Sequence, residues 1–277
     1  MLHPERIAGL YRDACHAELD ALKVGNVHAY AAGHRMEVAD FARSAEVSAG
    51  PLAEAGSGVG ARVLGGVAAT REAVGQNTNL GILLLCAPLA LAAEEGITLA
   101  AALGRLGPED ARDVFAAIRL ASPGGLGQAT RYDVTAEEAE PPPLSAAMAE
   151  AAPRDRIARA YVTAFEDVRE VGLPALEAAR AVGLDAPWSA SAVHLAYLAA
   201  FPDSHVLRKH GEVTARAVRD RAAALRAEID MASRPVAALL AFDTELKEQG
   251  INPGTSADFT VATLFWRALV EAGASLG

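Results

Sequence analysis

Nowhere in its 277 residues does the chain alternate apolar and polar side chains with a period of two, whereas apolar positions recur at helical spacing almost throughout. A half-buried strand requires that alternation, so the pattern commits the chain to helices. Helices are predicted from Pro4 to Leu22, Gly33 to Ser44, Val63 to Val74, Asn79 to Glu94, Pro108 to Leu120 and Asp155 to Val171. Further helices are predicted from Pro174 to Val182, Ser189 to Phe201, Val213 to Asp230, Pro235 to Gln249 and Thr255 to Gly277. Aromatic residues make up only 5% and alanine is abundant, so these helices are expected to pack closely through small side chains. The fold class is therefore all-α: one globular multi-helix domain over 1–277, with a mobile loop at 137–153 where Glu137 to Pro143 is acidic and proline-rich.

At 52% hydrophobic and 22% charged, the chain can bury a large core. A formal net charge of −10 leaves no basic field for long nucleic acid. It leaves open a small phosphorylated ligand held by a local Lys, Arg or metal cluster. The N-terminus lacks the basic and apolar stretches of a secretory signal, and Leu80 to Ala93, interrupted by Pro88, is shorter than the ~20 residues of a membrane span. A cytoplasmic protein with no membrane partner is expected. Cys15 and Cys86 have no metal or redox spacing and read as small buried residues. An exposed alanine-rich helix could serve a homodimer.

Four polar segments at helix boundaries are candidates for chemistry. In the first, Lys23 to His28 (KVGNVH) is followed by Gly33, His34, Arg35 and Asp40, which sets four nitrogen-bearing side chains near one turn. That suits a phosphate grip or a general base, and equally a solvated turn capped by Asn26. In the second, Gly75 to Gly81 (GQNTNLG) opens the most apolar helix; Asn77, Thr78 and Asn79 can cap it or meet a ligand. The third, Ser122 to Gly127 (SPGGLG) with Tyr132 and Asp133, offers close backbone approach at Gly124 and Gly125, or simply several turns. The fourth pairs Phe201 to Gly211 with Ile251 to Asp258, where Asp203 and Asp258 sit beside small hydroxyl residues and can cap a helix or hold magnesium. A further stretch, Gly56 to Gly60 (GSGVG), follows no predicted strand and reads as a flexible connection.

Taken in order, these segments resemble the triphosphoribosyl-dephospho-CoA synthase family. KVGNVH with the downstream GH-x-M-x-x-A-D-F is similar to the family's K-P-G-N-V stretch with its histidine and acid; GQNTNLG is similar to G-x-N-T-x-x-G. DSHVLRKHG and INPGTSAD are similar to D-(S/T)-x-(L/I)-x-R-x-x-G and N-P-G-x-S-A-D. The resemblance implies an all-helical transferase that moves the triphosphoribosyl group of ATP from adenine to the 2′-hydroxyl of dephospho-CoA, with magnesium. It implies that Lys23, Arg208 and Lys209 meet phosphates, that Asp203, Asp258 and Asp133 hold the metal, and that His34 or His28, with Asp40, forms the catalytic set. Gly25, Asn26, Asn77, Thr78, Gly124, Gly125, Asn252, Gly254 and Ser256 would bind and orient the ligand. The sequence departs from the family at Val24, where the pattern has proline, and at Met36, where it has an acid. SPGGLG-x-x-x-x-YDV stands where the citrate-lyase enzymes have A-R-G-E-A. That variant is associated with archaeal and methylotroph relatives, which adds a one-carbon carrier pathway (methanopterin or methylofuran) to the expected contexts. A metal-dependent helical hydrolase and a non-catalytic binder of a cofactor intermediate are the alternative readings.

Overall fold

The computed structural model describes residues 1–28, 38–122 and 142–277. It contains thirteen α-helices and no strand among the described residues, which is the all-α class that the periodicity predicts. They are α1 (Pro4–Asp20), α2 (Val38–Leu52), α3 (Val59–Val74), α4 (Leu80–Glu95), α5 (Leu99–Gly104), α6 (Pro108–Ala121) and α7 (Leu144–Ala151). After them come α8 (Arg156–Thr163), α9 (Leu173–Ala181), α10 (Ala186–Ala200), α11 (Ser204–Glu228), α12 (Val236–Glu248) and α13 (Gly254–Glu271). The chain forms two compact units, one of 1–13, 41–165 and 265–277, the other of 14–40 and 166–264.

The first unit is built around α4. Every residue from Ile82 to Ala93 on it is buried, so this helix is apolar on all sides because all sides are covered. Cys86 lies within it, and no described helix is long and apolar enough to cross a membrane. Its one irregularity has a visible remedy. Pro88 has no N–H to give to the Leu84 carbonyl four residues back, and the Tyr161 hydroxyl donates to that carbonyl at 2.7 Å. Burial pushes the Tyr161 phenol far up, so it remains a donor at any physiological pH.

The same unit corrects two expectations. Gly56 to Gly60 is clasped rather than loose. The fully buried Arg62 donates to the Leu52 and Ser57 carbonyls at 2.7 and 2.9 Å and pairs with Glu94, which in turn accepts the Gly56 N–H at 2.8 Å. A Cβ on Gly60 would lie 2.6 Å from the Asp110 backbone, so α3 and α6 meet there through a bare backbone. Within the loop predicted at 137–153, Leu144–Ala151 is helix α7, because Leu144 and Met148, one turn apart, bury on one face. Residues 137–141 lie outside the described residues.

The second unit gathers Leu22, Val24, Leu195, Leu198, Val206, Leu225, Leu239, Phe242, Leu246 and Ile251 into one core. The helix predicted from Asp155 to Val171 instead ends at Thr163: Ala164 and Phe165 turn left-handed, and Val168–Gly172 forms a π-helical turn. A Cβ on Gly172 would collide with the Tyr197 hydroxyl, which is itself 2.6 Å from Thr263 Oγ1. Helix α11 starts at Ser204, nine residues before the predicted Val213, and absorbs Gly211 in a non-helical conformation (φ 82°, ψ 170°) that glycine alone adopts readily.

Tyr161→Phe leaves the buried Leu84 carbonyl without a donor and is expected to cost about 1–3 kcal/mol in urea unfolding. In a Pro88→Ala background, where the introduced alanine supplies the missing N–H, the same change should cost much less. Equal costs in both backgrounds would show that the hydroxyl is not replacing the proline's lost hydrogen bond.

Candidate functional site

The second unit carries most of the polar residues singled out in the sequence. Residues 23–28 leave the end of α1 as a turn whose polar groups are nearly all inside the protein. The Lys23 side chain is 2% exposed, its ammonium pairs with Glu18 and lies 3.3 Å from Asn26 Oδ1. Burial pulls the Lys23 ammonium down and pushes the Glu18 carboxyl up, and each charge opposes the other's shift. Asp258 and Lys247 are also close enough to bias Lys23. Asn26 uses Oδ1 to accept the Val27 N–H at 2.8 Å and Nδ2 to donate to Asn252 Oδ1 at 2.8 Å.

Gly25 is the pivot of the turn. Its φ of 76° is left-handed, and a Cβ there would lie 2.8 Å from both Leu246 and Pro253. Its N–H donates to Asp243 Oδ1 at 2.8 Å. The same oxygen lies 3.3 Å from His28 Nε2, and Lys247, one turn along α12, stands 3.0 Å from Asp243 Oδ2 and 3.3 Å from His28 Nε2. Beneath the turn, His194 of α10, 1% exposed, bonds through Nε2 to the Val24 carbonyl at 3.3 Å. Its Nδ1 meets no partner among the described residues.

The start of α11 is fastened to the start of α13 by one carboxylate. Asp203 Oδ1 accepts the His205 and Val206 N–H groups at 2.9 and 3.1 Å, and Oδ2 accepts the Ser256 N–H and hydroxyl at 2.7 and 2.8 Å. Four donors fill the acceptor positions of this buried carboxylate, so a cation there would have to displace a helix cap. Among the described residues, no three His, Cys, Asp or Glu side chains converge as a metal-holding group. Gly254 is needed where the His205 ring lies 2.6 Å from its would-be Cβ.

The structure thus brings Lys23, Gly25, Asn26 and His28 together with Asn252, and ties Asp203 to Ser256. Asp258 stands partly exposed near the start of α13; Arg208 is partly exposed and Lys209 exposed on α11; Asp40 lies partly exposed on α2. His34, Arg35, Gly124, Gly125 and Asp133 lie outside the described residues. In the first unit, Asn77 Oδ1 accepts the Leu80 N–H at 3.2 Å and the Thr78 and Ser44 hydroxyls are 2.5 Å apart. Asn79 donates to Ser48 and Thr70 at 3.2 and 3.0 Å, and Tyr11 reaches Ser48 at 3.1 Å, a buried network that holds the turn before α4.

Sequence reasoning missed Glu18, His194, Asp243 and Lys247. The four-residue spacing of Asp243 and Lys247 was a legible helix pair, but its contact with a turn 218 residues away was not.

Among the described residues the fold is built of helices, and carboxylates, imidazoles, amides and ammonium groups gather at one turn. Residues 4–276 match the family model of ATP:dephospho-CoA triphosphoribosyl transferase (CitG), and the chain belongs to that family, a transferase that uses ATP. A crystal structure from Archaeoglobus fulgidus, provisionally named triphosphoribosyl-dephospho-CoA synthase, matches with a TM-score of 0.63 at 23% identity. The match covers 84% of this chain and 98% of that one, and at such identity the likeness is one of fold. A search of curated proteins gives no match.

Burial, with the Lys23 charge adding to it, pulls His194 down to about 3 from its ordinary 6.5. The unfolded chain therefore binds this proton first: stability is full above about pH 6.5 and is lost as pH falls toward about 3, by at most about 1.4 kcal/mol per pH unit. His194→Gln should flatten that slope by about one proton when urea midpoints are compared between pH 7 and pH 4. An unchanged slope would mean that His194 titrates alike in the folded and unfolded chain.

Proposed function

We propose that the turn at residues 23–28, with Asn252 and Asp258, forms the part of the site where the ribose of ATP reacts, and that His28 is the base for the incoming hydroxyl. The observation that supports this reading most is the buried cluster itself: an imidazole, two amides and two carboxylate–ammonium pairs meet at one backbone turn, at a cost in desolvation that fold stability alone does not require. Displacement of adenine from the ribose C1′ passes through a cation-like sugar, which favours a nearby carboxylate, and Asp258 is the partly exposed one. Asn26 and Asn252, bonded to each other, present rigid amide groups for orienting a ribose. Arg208, partly exposed, and Lys209, exposed, supply cations for the triphosphate, whereas Lys23 anchors the turn through Glu18.

Magnesium in this reading enters chelated by the triphosphate, since phosphate oxygens are the hard ligands it prefers, and no step depends on Asp203 holding it. The acceptor is a hydroxyl compound of cofactor biosynthesis. Dephospho-CoA follows from the family; the departure of SPGGLG from the citrate-lyase pattern favours testing one-carbon carrier precursors beside it.

Incubating the protein with ATP, magnesium and each acceptor should release adenine only when the right acceptor is present. Release without any acceptor would favour the hydrolase reading, and tight ATP binding with no turnover in any mixture would favour a binding protein. His28→Gln should lower kcat by roughly 10²–10⁴-fold while calorimetric ATP affinity changes little. Full activity in that variant would remove His28 from the chemistry.

A further inference from the structure

Helix α11 buries Ala215, Val218, Ala222 and Leu225 in the core of the second unit, at the three- and four-residue spacing of a single helix face. Val206, nine residues before Ala215, is 0% exposed and belongs to the same core. An unbroken helix would not place it there. At about 100° per residue, Val206 would lie about 140° round from the centre of that face, on the outer side where Val213 stands 85% exposed. Arg208 would lie only about 60° from the centre and be turned toward the core. The structure reverses the two, with Val206 inside and Arg208 partly exposed.

The reversal is made at Gly211. Its φ of 82° and ψ of 170° belong to a region that only glycine enters at little cost, and a residue held there breaks the register between the turns on either side. A Cβ at Gly211 would meet nothing within 4 Å, so the glycine is required by the backbone and not by crowding. The segment before the break is held at its other end. Asp203 caps it and bonds Ser256, the His205 N–H lies 3.2 Å from Thr255 Oγ1, and the His205 ring covers Gly254. Residues 204–210 therefore take their register from the start of α13, and residues 212–228 take theirs from the core.

We propose that Gly211 is a positioning residue for the triphosphate: the break it makes in α11 sends Val206 inward and holds Arg208 on the side where phosphate oxygens can reach it. This rests on the reading of Arg208 as a phosphate contact. A guanidinium makes its paired N–H···O bonds to a phosphate only along an accessible edge, so its direction matters more than it would for the flexible, exposed Lys209. Alanine at position 211 favours the helical conformation over the one Gly211 adopts, which rotates Arg208 back toward the core.

Gly211→Ala should weaken calorimetric MgATP affinity by roughly 10-fold, the scale of one lost charge-assisted contact. With acceptor present it should raise the KM for ATP by the same factor and leave kcat within about twofold. Arg208→Ala should lose a similar factor, and adding Gly211→Ala to it should cost less than a further twofold, because the contact that Gly211 directs is already gone. Gly183→Ala, at another exposed left-handed glycine (φ 78°) with open space around its would-be Cβ, should leave MgATP affinity unchanged. Wild-type affinity in Gly211→Ala, or equal losses from it with and without Arg208, would overturn the proposal.

Thiol labelling tests the register in the natural backbone, so it stands even if Gly211→Ala fails to fold. Both native cysteines are buried. Arg208→Cys should react readily and be slowed by saturating MgATP, while Val206→Cys stays protected; the reverse pattern, or no slowing, would overturn the proposal. Unaltered MgATP affinity in Arg208→Ala would reject the phosphate reading of Arg208 itself. A lowered affinity there, with equal Gly211→Ala losses in both backgrounds, would keep that reading and reject only the role of Gly211.

Discussion

A buried polar group needs a partner, and the six residues from Lys23 to His28 bring an ammonium, an amide, an imidazole and their backbone groups into the interior of the unit. Much of the second unit follows from that requirement. Glu18 answers Lys23, Asn252 answers Asn26, Asp243 answers the Gly25 N–H and the His28 ring, and His194 answers the Val24 carbonyl. Only one of these partners comes from the same helix-turn segment. The others arrive from α10, α12 and the stretch before α13, so the turn is formed only when distant parts of the chain have assembled. A network of this kind specifies one arrangement, because a half-satisfied version is worse than an apolar one.

The first unit obeys the same rule with milder groups. Pro88 breaks the hydrogen-bond ladder of the most apolar helix, and a tyrosine hydroxyl repairs it. Arg62 is buried completely but finds two carbonyls and a carboxylate, so its charge holds the 53–58 turn in place instead of destabilising the core. The hydroxyls of Tyr11, Ser48 and Thr70 close around Asn79, a residue that looks from sequence like one more helix cap.

What could be read from sequence divides along physical lines. Helical periodicity is a local property, and it located most helices correctly, because the same spacing that buries one face also appears in the residue order. It failed where local pattern and backbone geometry part company. The chain from Asp155 to Val171 has helical spacing, but the left-handed Ala164 and Phe165 interrupt it, and nothing in those two side chains announces a positive φ. Gly56 to Gly60 has the composition of a loose connection, and its rigidity comes from Arg62 and Glu94, which lie outside it. The site was legible in its motifs and illegible in its supports. Lys23, Asn26, His28 and Asn252 stand in recognisable segments, whereas Asp243 and Lys247 look like an ordinary surface pair at helical spacing until the fold sets a histidine between them.

The placement of Asp203 and Lys23 bears on how such a site recognises a triphosphate. A charged residue within a motif is easily read as a ligand contact, yet a charge whose hydrogen-bonding groups are already taken up by protein partners organises the backbone first. Asp203, with all four acceptor positions filled, and Lys23, paired with Glu18, are placed to do so. Their service is to hold the ends of α11 and α13 and the turn after α1 in fixed positions. In the proposed reaction, preorganisation of this sort would let the neutral amides and the imidazole meet a developing sugar cation without rearranging. Substituting either residue removes the scaffold on which a contact depends, so a loss of activity in such a variant does not by itself identify a ligand contact.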